Sequence, residues 1–123
     1  MGEFLKIRAD RFLETAKDLY NKGYYDLCSF NIEQAVQLYL KFSIWKYLGD
    51  FEKTHNIKSL LQQYKKLSNQ DKEIEKLINE FEETINDLEI AYIESRYIPA
   101  EFTKKQVDLM FEFVNNLRSI LQL

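Results

Sequence analysis

The sequence predicts an all-α protein, an up-and-down four-helix bundle with one additional short helix. Two observations carry that expectation. Apolar residues recur every three to four positions through four long stretches, which is the period of a buried helix face. The 123 residues include only 3 Gly and 1 Pro, too little turn punctuation for a sheet-rich fold. A chain of this length reads as one domain, 1–123. Folding should hide roughly two-thirds of its unfolded surface, enough for a core.

The elements follow in order. Leu5, Ala9, Phe12, Ala16, Leu19 and Tyr20 form one face of a first helix, from about Glu3 to Lys22. Gly23 ends it where glycine is favoured. The second helix runs from about Tyr24 to Leu48, with Cys28, Ile32, Ala35, Leu38, Tyr39 and Phe42 as its main stripe. Leu27, Phe30, Ile44 and Trp45 lie partly off that stripe. A helix apolar on more than one face is either central in a bundle or in contact with a partner. Gly49 and Asp50 close it.

Thr54 is placed to cap a short third helix from His55 to about Leu67. Ser68 and Asp71 have the spacing of a capping-box variant. They open a fourth helix that reaches about Glu94, with Ile74, Leu77, Ile78, Phe81, Ile85, Leu88 and Tyr92 on one face. Tyr97-Ile98-Pro99-Ala100 interrupts the pattern, because proline lacks a donor and biases its predecessor toward extended geometry. Thr103 and Gln106 repeat the capping-box spacing before the last helix. There Val107, Met110, Phe111, Val114, Leu117 and Leu121 face inward. Phe113 and Ile120 fall on another face and, with Phe30 and Trp45, supply material for a subunit interface.

The net charge of −3 conceals a split. Residues 41–66 hold six lysines against two acids, and residues 71–94 hold nine acids against two lysines. That polarity argues against binding nucleic acid over the whole surface and leaves room for a local basic patch. With one cysteine, Cys28, no intramolecular disulfide or CxxC metal cluster can form. No long apolar run follows the charged N-terminus, so neither a signal peptide nor a membrane span is expected, and a reducing cytoplasm is the expected compartment. Richness in Lys, Glu and Ile is a trait of heat-adapted proteins.

Most catalytic signatures are missing: GxGxxG, the P-loop, HExxH and G-x-S-x-G do not occur. His55 is the sole histidine, so no metal site and no catalytic triad is assigned, and no cofactor is expected. What remains is a set of polar residues within apolar stretches. Gln34 sits mid-helix, where an amide bonds either a neighbouring helix or a ligand. Lys41, on the same face two turns on, either grips phosphate or snorkels to water. His55 either bonds the backbone or joins a site, and Arg96-Tyr97 either fixes the end of the long helix or faces a cleft. A lysine, an arginine and a histidine near a helix start would together favour an anion.

In order along the chain stand Phe30-x-x-Glu33-Gln34-Ala35, Leu38-Tyr39-Leu40-Lys41, Gly49, His55-x-Ile57-x-x-Leu60-Leu61 and Tyr92-x-x-x-Arg96-Tyr97-x-Pro99. Phe12-Leu13-x-x-Ala16-x-x-Leu19 precedes them, followed by Gly23-Tyr24. This series resembles the pattern of HEPN domains over nearly the whole chain. The resemblance implies a helical bundle that forms a homodimer. It implies either a nucleotide ligand or pairing with a separate minimal nucleotidyltransferase, with Lys41, His55, Arg96, Tyr97 and Gln34 as the ligand-binding candidates. Neither DNA nor a membrane is an expected partner.

Other members of that family are metal-independent ribonucleases, often toxins of toxin–antitoxin pairs, with an Arg-x(4–6)-His motif. Here the arginine would have to stand at 48, 49 or 50, which are Leu48, Gly49 and Asp50. The chain therefore reads as a binding module without catalytic activity of its own. The alternative is a degenerate ribonuclease or toxin component.

Overall fold

The computed structural model describes residues 1–94 and 101–123. Arg96 and the Tyr97–Ala100 interruption lie outside the described residues. Among those described, the chain forms α1 (Glu3–Asn21), α2 (Tyr25–Leu48), α3 (Ile57–Leu67), α4 (Asp71–Glu80), α5 (Glu82–Glu94) and α6 (Lys104–Leu121). α1 packs along α2, and α3, α5 and α6 pack on α2 as well. From Cys28 to Ile44 no residue of α2 is exposed. Of the two roles open to a helix apolar on several faces, it takes the central one.

The local signals explain most of the boundaries. Gly23 and Gly49 both adopt positive φ, 76° and 73°, the left-handed geometry that lets a helix end without a Cβ clash. Thr103 and Gln106 form the full capping box, each side chain bonding the other's backbone N–H. Two other starts differ from expectation. Asn56, not Thr54, caps α3, its Oδ1 accepting from Ser59 N at 2.9 Å, so His55 stands just outside the helix. α4 opens at Gln70 with no side-chain cap, while Ser68 ends α3.

The long fourth helix is divided. Phe81 leaves helical geometry (φ −117°, ψ 27°) between α4 and α5, although Phe81 N still donates to Leu77 O and Ile85 N to Phe81 O. The bend lets the buried Phe81 ring meet Phe113 edge-on at 5.6 Å. A period-based reading does not register this, because Phe81 fits the stripe of either a straight or a bent helix.

That pair also corrects the interface expectation. Phe113 is a fully buried core residue, and Ile120 packs against the core. Trp45 is partly buried over the start of α1, where a Cβ on Gly2 would clash with the indole. The apolar side chains left exposed on α1 and around the start of α2 are Phe4, Ile7, Tyr24 and Leu27.

The central position of α2 sets where stability resides. Leu40 on α2 is 0% exposed and Ile90 on α5 is 41% exposed. Leu40→Ala should cost about 2–5 kcal/mol through lost burial and an unfilled cavity. Ile90→Ala should stay within about 0.5 kcal/mol. Urea denaturation followed by helicity measures both, and equal costs would contradict the placement of α2.

Candidate functional site

Residues 33, 37 and 41 are successive turns of α2, so their side chains stack along one face. Neighbouring helices enclose that face. Glu33, Gln37 and Lys41 are consequently 1%, 4% and 8% exposed. Charged side chains are almost never buried to this degree without a partner.

Glu33 finds two amides. Gln34 Nε2 donates to its Oε1 at 2.8 Å, and Gln37 Nε2 donates to its Oε2 at 2.5 Å. Burial pushes the Glu33 carboxyl up to about 7. The two amide bonds and the nearby Lys41 pull the other way, and the charge of Glu89 on α5 adds to the rise. Burial lowers the Lys41 ammonium, with Glu33 partly offsetting that effect. Among the described residues Lys41 is in no ion pair within 4 Å. Among the described residues Glu89 Oε1 is buried without a hydrogen-bond partner.

The row of polar groups reaches the surface through His55. Its Nδ1 lies 3.4 Å from Gln37 Oε1. Its ring stacks on Tyr92 of α5, with centroids 4.9 Å apart and planes 25° from parallel. His55 is exposed and Tyr92 half-buried. Glu33, Gln37, His55 and Tyr92 thus form a continuous path from the core outward.

The structure brings three of the expected site residues to this seam. Gln34 bonds the adjacent Glu33 rather than another helix, Lys41 has most of its side chain enclosed, and His55 sits at the outer end. Arg96 and Tyr97 lie outside the described residues. Glu33, Gln37, Glu89 and Tyr92 were not among the expected site residues. For Glu33 and Gln37 the readable signal was their four-residue register with Lys41.

Chemically, a largely enclosed lysine with no ion-pair partner among the described residues favours an incoming anion. The stacked imidazole and phenol offer a flat surface, and the amides and imidazole add hydrogen bonding. Among the described residues no cluster of three or more His, Cys, Asp or Glu could hold a metal ion. Nor is any described helix long and apolar enough to cross a membrane. A cavity of about 390 Å³ lies between the ends of α2, α3 and α6, lined in part by Ser43, Lys46, Tyr47 and Tyr64. It shares no lining residue with the Glu33–Lys41 face.

A family model described as the HEPN domain matches residues 3–123. No curated protein matches the chain.

The buried carboxyl makes stability depend on pH. Its pKa of about 7 lies above the ordinary 4.5, so the folded state holds the proton more tightly than the unfolded chain. The resulting stabilisation is full below about pH 4.5 and is lost as pH rises through about 7. Glu33→Gln removes that dependence. Between about pH 5 and pH 8 the variant should gain on the wild type by on the order of 2 kcal/mol in urea denaturation. A difference that stays flat with pH would contradict the burial of an ionisable group here.

Proposed function

The chain belongs to the HEPN domain family, and on that premise we propose that it is a binding module, a homodimer that takes a nucleotide at the Glu33–Lys41 seam. The observation that carries this reading is Lys41. A lysine enclosed to 8% exposure and in no described ion pair carries a charge that an incoming phosphate would pair. The stacked His55–Tyr92 pair, joined to the same row through Gln37, supplies a surface for a planar base. Arg96 and Tyr97 follow Tyr92 in the chain and complete the ligand-binding set.

Pairing with a separate minimal nucleotidyltransferase belongs to the same proposal, since a nucleotide-responsive bundle suits such a partner. A ribonuclease role has no support at positions 48–50, where Leu48, Gly49 and Asp50 replace the required arginine. The dimer is supported by the apolar side chains Phe4, Ile7, Tyr24 and Leu27, left exposed on α1 and around the start of α2. A standard interface needs about 800 Å² from each partner.

Calorimetric titration with ATP and GTP tests the ligand. Saturable heat is expected, weakened about tenfold or more in Lys41→Gln through loss of a charge-assisted bond. No heat at millimolar nucleotide would remove the nucleotide from the proposal. Light scattering tests the assembly, with twice the 14.8 kDa chain mass expected. Ile7→Glu should lower that mass toward one chain with helicity unchanged, and a monomeric wild type would contradict the dimer.

A further inference from the structure

We infer that Gln37 is a positioning residue for His55: anchored by the Glu33 carboxylate, it turns its carbonyl toward the ring, holds the proton of the neutral imidazole on Nδ1, and leaves Nε2 facing outward as an acceptor. The inference deepens the proposed binding role and rests on that reading only for the identity of the ligand.

The polarity of the relay follows from the chemistry of its members. An ionised carboxylate accepts hydrogen bonds and donates none. Gln37 lies 2.5 Å from Glu33 Oε2, so it must present its NH2 group there. Its carbonyl is then the end left for His55, 3.4 Å from Nδ1. A neutral imidazole has a single N–H, and a hydrogen bond at one ring nitrogen decides which of the two carries it. Free histidine in water carries that proton mainly on Nε2, so the relay opposes the ordinary preference. Stacking on Tyr92 at 4.9 Å holds the ring in the orientation that meets Gln37. The 3.4 Å contact is long, and its expected effect is a shift in tautomer populations.

The groups around Glu33 define when the relay is set this way. Lys41 on α2 favours the ionised carboxylate, while Glu89 from α5 and burial oppose it. Gln34 and Gln37 donate to it from its own helix. With the carboxylate ionised, the outward Nε2 lone pair calls for a hydrogen-bond donor. A phosphate oxygen cannot provide one, whereas a ribose hydroxyl or the amino group of a base can. Phosphate is thereby assigned to Lys41, and the hydroxyl or amino edge of the ligand to His55.

Because His55 is the only histidine, ¹⁵N-histidine labelling reports a single ring. Two-bond ¹H–¹⁵N correlation spectra identify the unprotonated nitrogen by its downfield shift. They are recorded without ligand, at a pH above the Glu33 value of about 7 and where the imidazole is neutral. In the wild type, Nε2 should be the unprotonated nitrogen. In Gln37→Leu, which keeps the bulk and removes the carbonyl, the populations should reverse toward unprotonated Nδ1. A wild-type ring protonated mainly on Nε2 would overturn the inference without recourse to any variant. So would a folded Gln37→Leu protein with the wild-type tautomer ratio. Neither result bears on nucleotide affinity, which the calorimetric titration decides separately.

Discussion

Burial of α2 along its length forces its polar side chains to find partners inside the protein rather than in water. From Cys28 to Ile44 every residue is at least half-buried or better, and α1, α3, α5 and α6 all pack against it. Much of this burial is ordinary core: Ile32, Val36, Leu40 and Ile44 are fully enclosed. Cys28 behaves as another small apolar residue. Its thiol bonds Ala16 O of α1, and burial pushes its pKa up to about 12. Tyr39 shows how a polar group on such a helix is normally accommodated. Its hydroxyl donates to Asp10 of α1, and Arg118 of α6 lies over its ring at 5.3 Å.

The Glu33–Lys41 face departs from that pattern. Its carboxyl is bonded but remains partly uncompensated, and among the described residues its ammonium has no ion pair and Glu89 contributes an oxygen without a hydrogen-bond partner. Removing a charge from water costs several kcal/mol unless good geometry offsets it. An incompletely satisfied polar network is therefore a poor way to stabilise a bundle. Proteins tolerate such groups where binding requires them, and stability is the quantity sacrificed. The exit of this face at the exposed His55, stacked on the half-buried Tyr92, is consistent with that use.

The helical fold was legible because its signals are redundant. The Gly23 and Gly49 stops and the Thr103–Gln106 box each act locally, and the structure places them as their chemistry requires. Some boundaries differ from what the sequence pattern predicts. Phe81 bends the fourth helix toward Phe113, and no local rule marks a residue that fits both a straight and a bent stripe. Asn56 took the cap from Thr54 because both residue types cap well, and one position separates them. For the site, Gln34, Lys41 and His55 were legible as polar residues out of keeping with their surroundings. Glu33 and Gln37 are less legible, because a polar position on a helix reads as solvent-facing unless the helix, like α2, is apolar on several faces and has little solvent face to give.

The most direct test replaces the whole face. Glu33→Leu, Gln37→Leu and Lys41→Met together keep the approximate volume and remove every charge and amide of the row. If the face exists for binding, the triple variant should unfold at higher urea than the wild type at about pH 8 while retaining its helicity. A triple variant less stable than the wild type would show that these residues hold the bundle together, and the central claim would fail.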